Sequence, residues 1–120
     1  MAKILIAEDS LTAAELLIKT LEPLGHDILA TKDGEEAARL CAEQRPDLLI
    51  LDVILPRMNG FQLCRALRQS DHSRELPIIV VTSMDQESDR YWAFKQGADE
   101  FLVKPVDPAV LLQKVKQYLG

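Results

Sequence analysis

The stretch Asp47-Leu-Leu-Ile-Leu-Asp52-Val-Ile-Leu-Pro56 constrains this chain most. It sets one carboxylate inside an otherwise apolar run, between a turn-forming Asp47 and Pro56. A short apolar run bounded by turn formers reads as a strand buried on both faces, the kind found in parallel sheets. A carboxylate at the end of such a strand is costly unless a cation or hydrogen-bond donors meet it. The rest of the chain has to supply them.

Four other runs read as strands: Lys3-Ile-Leu-Ile-Ala7, the weaker His26-Asp-Ile-Leu-Ala-Thr31, Leu76 to Thr82, and Glu100-Phe-Leu-Val-Lys104. Helical spacing fills the intervals. Ser10 can cap a helix running to about Leu24, with Leu11, Ala14, Leu17, Ile18 and Leu21 on one face. Asp33 can cap a second helix to about Gln44, and Arg45-Pro46 stops it. A third runs from Phe61 to about Gln69 after the turn-rich Pro56 to Gly60 loop. Asp85 is the expected cap of a fourth, ending near Gln96, with Ala93 and Phe94 on its buried face. Asp107-Pro108 pairs a capping residue with proline at the first helical position and opens a fifth, to about Leu119. Strand and helix thus alternate five times with short connections. That order predicts an α/β doubly wound parallel sheet of five strands with helices on two faces, in a single domain over residues 1–120.

The composition excludes several classes. At 48% hydrophobic and 28% charged, the chain is too apolar for disorder. A net charge of -5 argues against docking on nucleic acid or anionic lipid by general electrostatics. Nothing reads as a signal peptide or a membrane-spanning stretch, so a cytoplasmic location without membrane insertion is expected. Cys41 and Cys64 lack zinc-ligand spacing and read as small apolar residues on helix faces.

In sheets of this kind, functional groups gather at the carboxyl ends of the strands. Strand one ends in Glu8-Asp9, strand three in Asp52, strand four in Thr82-Ser83 and strand five in Lys104-Pro105. Carboxylates brought to one edge repel unless a cation intervenes. Hard oxygen donors suit Mg²⁺. Lys104 offers a movable ammonium and Thr82 a hydroxyl donor. A metal, a lysine and a hydroxyl around one aspartate are what that carboxylate needs to attack a phosphoryl group. Singly, each residue has a plainer role: Asp52 as a turn former, Glu8-Asp9 as a helix cap, Lys104 as a surface lysine, Thr82 as a strand residue. Four strand ends carrying acid, acid, hydroxyl and lysine in this order are much harder to produce by chance.

Taken together, Glu8-Asp9-Ser10, Asp52 with Pro56 and Asn59-Gly60, Thr82-Ser83, Gly97 to Phe101 and Lys104-Pro105 resemble the receiver domains of two-component response regulators. The resemblance covers the whole chain. It implies the flavodoxin-like strand order 2-1-3-4-5. It implies that a histidine kinase phosphorylates Asp52 and that Mg²⁺ is held by Asp9, Asp52 and the backbone carbonyl of Ile54, with Glu8 acting through a water. Thr82 and Lys104 would contact the phosphoryl oxygens. Phe101 would be the aromatic switch residue, turning inward on phosphorylation, and the Lys104–Pro105 peptide would be cis. The helix 4, strand 5 and helix 5 surface would control a downstream signalling protein, with the chain a monomer or a weak homodimer. It would be no enzyme beyond its own phosphoryl transfer and slow dephosphorylation. Apolar Ile54 and Met84, two residues after Asp52 and Thr82, predict slow loss of the phosphoryl group. Tyr91, Trp92 and Phe101 are candidate partner contacts, although Trp92 could equally fold over a neighbouring helix. That tryptophan and the adjoining Asp85-Gln-Glu resemble stand-alone regulators of type IV pilus twitching and phototaxis. The 120 residues could be such a regulator or a piece of a longer one.

Competing readings fare less well. An aspartyl-nucleophile phosphatase needs a second acid two residues after the nucleophile, where Ile54 stands. A flavin or nucleotide binder would not open its first loop with Glu8-Asp9. A receiver-like module that is never phosphorylated would have no need of Asp9, Asp52, Thr82 and Lys104 together.

Overall fold

A computed structural model describes residues 1–120. Five strands, β1 (Lys3–Ala7), β2 (Asp27–Thr31), β3 (Leu48–Leu51), β4 (Ile78–Thr82) and β5 (Glu100–Val103), alternate with five helices. The helices are α1 (Leu11–Leu21), α2 (Gly34–Gln44), α3 (Gly60–Gln69), α4 (Glu87–Lys95) and α5 (Pro108–Leu119). All strand pairings are parallel, in the order β2-β1-β3-β4-β5. This is the predicted doubly wound sheet, with its order reversing beside β1.

Period-two alternation divides the sheet between two cores. Leu5, Ala7, Leu49, Leu51, Ile78, Val80 and Phe101 face one way and join Ala37, Cys41, Leu63, Cys64, Leu67 and Ala93 from α2, α3 and α4. Ile4, Ile6, Leu48, Ile50, Ile79 and Val81 face the other and join Leu17, Leu21, Leu111 and Val115 from α1 and α5. β3 is fully covered on both sides, which is why its sequence does not alternate. β2 lies at the sheet's edge and is only partly covered, which explains its weaker pattern.

β2, β5 and α3 each differ from the expected bounds by a single residue at one end, and three other element ends differ for a visible physical reason. α1 stops at Leu21, and Glu22–Leu24 tightens into a 3₁₀ turn around Pro23. β4 begins only after Pro77, which has no N–H to give the ladder. The cap of α4 is Gln86, not Asp85; Gln86 N donates to Asp89 Oδ2 at 3.1 Å, so the acid three residues in satisfies the helix start. Arg68 ties the far ends of α3 and α4 together. Its guanidinium donates to the carbonyls of Ser73, Arg74, Leu76 and Gly97 and pairs with Asp99 at 3.1 Å.

Candidate functional site

The last backbone hydrogen bonds of the sheet set the site's frame. Asp52 N donates to Ala7 O at 3.0 Å, Glu8 N to Thr31 O at 2.9 Å, and Lys104 N to Thr82 O at 2.8 Å. Glu8 and Asp52 therefore leave neighbouring strands side by side, and Lys104 leaves β5 beside the end of β4. The Lys104–Pro105 peptide bond is cis.

The side chains of Glu8 and Asp52 are 3% and 6% exposed. Lys104 Nζ lies between them, donating to Glu8 Oε1 at 2.7 Å and to Asp52 Oδ2 at 2.8 Å. Such charge-assisted bonds are short and strong. The other oxygens are also met: Glu8 Oε2 accepts from Ser10 N at 3.0 Å and Asp52 Oδ1 from Ile54 N at 3.1 Å. Burial alone would push the Lys104 ammonium down. The hydrogen bonds to Asp52 and Glu8, with their charges, outweigh burial and hold it above the ordinary lysine range. Thr82 is fully buried, and its hydroxyl accepts from Met84 N at a long 3.4 Å.

Asp9 is exposed beside this pair. Glu8, Asp9 and Asp52 against one ammonium leave the strand ends with an excess of negative charge. Carboxylate oxygens in such excess fit a hard divalent cation in donor chemistry and in charge, although no three acidic groups here form a ready-made cage. Ser10 and Ile54 contribute backbone donors whose role no side-chain pattern could have signalled.

Two expectations about the surface are corrected. Phe101 is 5% exposed and belongs to the α2–α4 core. Its register partner is Val80, so alternation sends both residues to the same buried face. Phe101 is therefore not an exposed partner contact. Phe94 is 39% exposed, because Ala93 is the sole buried residue of α4 and the next position already turns outward. Tyr91 and Trp92 are exposed, at 61% and 47%. The Phe94 ring has the Arg90 guanidinium 5.2 Å above it.

No helix is long and apolar enough to cross a membrane. The response regulator receiver domain family matches residues 4–116. Protein PilH of Pseudomonas aeruginosa is 39% identical over 120 residues, covering all of this chain and 99% of PilH. The alkaline phosphatase synthesis transcriptional regulatory protein PhoP of Bacillus subtilis is 37% identical over 117 residues, and the matched part spans 48% of its length. Among solved structures, the receiver domain of a Pseudomonas aeruginosa sensor histidine kinase superposes with a TM-score of 0.91 at 28% identity, covering 99% of this chain and 98% of that one. That structure has a magnesium ion coordinated in its active-site cleft. With the fold, the strand-end acids and the lysine between them, these matches show that the chain belongs to the response regulator receiver domain family of two-component signalling.

Proposed function

We propose that this protein is a phosphorylation-dependent switch in which Asp52 accepts a phosphoryl group from a histidine kinase. The observation that carries this reading is the Lys104 ammonium held between Asp52 and Glu8. An Asp52 oxygen would bond to phosphorus as the donor's phosphorus–nitrogen bond breaks, and the departing imidazole would take up a proton. Lys104, bonded to Asp52, would meet the negative charge that grows on the transferring oxygens, and Thr82 would offer them the strand-end hydroxyl. Asp9, Asp52 and the Ile54 carbonyl would hold Mg²⁺, with Glu8 acting through a water. When bound, the ion neutralises charge that three carboxylates and a phosphoryl group would otherwise bring into conflict.

Ile54 is 58% exposed next to the acceptor and carries no group able to act as a general acid. This favours a switch that holds its phosphoryl group over an enzyme that turns over outside substrates. Exposed Tyr91, Trp92 and Phe94 on α4, with Val103 at 41% exposed on β5, favour output through a partner protein docking there. Trp92→Ala should then weaken capture of the partner while leaving phosphorylation intact, and unchanged partner affinity would remove Trp92 from the contact.

The central test is incubation with acetyl phosphate and Mg²⁺, read by intact mass. The wild type should gain one phosphoryl group and Asp52→Asn none. Its loss after donor removal should be slow, given apolar Ile54 and Met84. A gain in both proteins, or in neither, would overturn Asp52 as the acceptor.

A further inference from the structure

The loop between β3 and α3 reaches the acceptor directly, because the Ile54 amide donates to Asp52 Oδ1. From inside, α3 fixes this loop: Gly60 N donates to Val53 O at 2.8 Å. A Cβ at Gly60 would lie 2.7 Å from Asp52 O and from Val53 Cα, so the helix start is pressed against the acceptor's own backbone.

From outside, a second element holds the same loop. Gly34, the first residue of α2, donates its N–H to Pro56 O at 3.2 Å. A Cβ there would lie 1.7 Å from Met58 O, inside van der Waals contact with backbone that has no rotamer to yield. The neighbouring Asp33 is shared between two tasks. Its Oδ1 accepts from Glu35 N at 2.7 Å and Glu36 N at 3.1 Å, capping α2, while Oδ2 pairs with Arg57 Nε at 2.6 Å. Arg57 takes the left-handed conformation, φ 70°, which non-glycine residues adopt rarely and which here aims its side chain at Asp33. The β2–α2 turn is also tied to the site from its other side, through Thr31 O and Glu8 N.

We propose that Asp33, Gly34 and Arg57 form a latch that sets the position of the Ile54–Pro56 segment against Asp52. They are positioning residues for phosphoryl acceptance, acting through the Ile54 backbone and not by touching the acceptor. The inference rests on the reading of Asp52 as the phosphoacceptor. Gly34 sets the distance, since any side chain there must push residues 56–58 off the turn. Arg57 adds restraint at the loop's exposed shoulder, where an ion pair is worth little in stability but fixes direction.

The test compares wild type, Gly34→Ala, Arg57→Gln and the charge-keeping Arg57→Lys by two measurements. The first is amide hydrogen exchange at Ile54 and Gly60, with β4 amides as an internal reference. The second is the rate of phosphorylation by acetyl phosphate with Mg²⁺. Gly34→Ala should speed exchange at Ile54 and slow phosphorylation by roughly tenfold or more, the scale of an ångström misplacement at a reacting group. Arg57→Gln should do the same by about twofold to fivefold, matching an exposed ion pair, with Arg57→Lys returning toward wild type. Arg57 lies at the surface, so its variants fold whether or not Gly34→Ala does. Arg57 variants with wild-type exchange at Ile54 and wild-type phosphorylation would overturn the latch, and so would altered exchange with unaltered phosphorylation. If wild type itself takes no phosphoryl group, the acceptor reading falls, and the exchange comparison alone still shows whether these residues hold the loop.

Discussion

Lys104 offsets part of the negative charge at the strand ends. Its ammonium faces two nearly buried carboxylates, and removing one partner from a buried ionic set strands the others. Lys104→Met should therefore cost about 1–3 kcal/mol, below the fully buried case because a quarter of Lys104 is exposed. Adding Glu8→Gln should recover part of that loss. Urea unfolding at neutral pH without divalent metal measures both steps, and a Lys104→Met protein as stable as wild type would refute the account. The pH dependence follows from the sign of the shift. The folded state raises the Lys104 pKa, so its contribution is complete below the lysine's ordinary value of 10.5 and is lost as pH rises through the higher folded value. The loss above pH 10.5 should be shallower in Lys104→Met. These residues were legible in sequence because each ends a short apolar run, and a parallel sheet gathers run ends at one edge. The Ile54 amide and the Asp33–Arg57 pair were not, since one is backbone and the other joins segments with no shared pattern.

Helices differ in how much sequence they need in order to be placed. α3 buries four residues, including Leu63, Cys64 and Leu67, which fixes its inner face. α4 buries only Ala93, so a helix recognised by spacing alone gave the wrong side to Phe94 and the wrong cap to its start. Its far end is held instead by polar contacts, Arg68 to Gly97 O and Arg65 Nε to Gln96 Oε1 at 3.1 Å, which hydrophobic periodicity does not register. Burial pushes the Cys41 and Cys64 thiols of α2 and α3 up to about 12, in keeping with a packing role. α5 is fastened to β5 by a different device: Tyr118 Oη donates to Glu100 Oε2 at 2.6 Å, and Lys114 Nζ lies 3.2 Å from Oε1. The bond to Glu100, followed by burial, raises the Tyr118 hydroxyl to about 12. The neutral tyrosine is the form that the fold favours, so its contribution is present below pH 10 and disappears as pH climbs toward 12. Burial would raise the Glu100 carboxyl, but Tyr118 and Lys114 outweigh it and lower it. That contribution is present above the ordinary 4.5 and fades as pH falls below it. Tyr118→Phe should cost about 1 kcal/mol at neutral pH and flatten the alkaline limb between 10 and 12, measured by thermal melts across pH. An unchanged alkaline limb would show that the pair does not fasten α5.

At the scale of the molecule, strand–helix alternation was enough to read a parallel sheet with two covered faces, but not the order of its strands. No local pattern distinguishes a β1–β3 neighbour from a β1–β4 one; the order came from resemblance, and the pairing of Ala7 with Leu51 realises it. The two cores share every strand, with consecutive residues of β3 alternating between them: Leu49 faces α2, α3 and α4, and Ile50 faces α1 and α5. Neither face can therefore lose its packing without loosening the strands that carry the other. Leu49→Ala and Ile50→Ala should each cost about 2–5 kcal/mol, as for other large-to-small changes at fully buried sites. Trp92, the single tryptophan, reports from α4 on the Leu49 side, while far-ultraviolet circular dichroism reports on the whole chain. Ile50→Ala, made on the opposite face, should shift the urea midpoints of both signals together, by roughly 1–3 M at the slopes of small domains. If Ile50→Ala lowered the dichroism midpoint while Trp92 fluorescence kept its wild-type transition, the two faces would unfold separately. The strand-end site, built from residues that leave β1, β3 and β5, would then lack the single rigid sheet that its geometry requires.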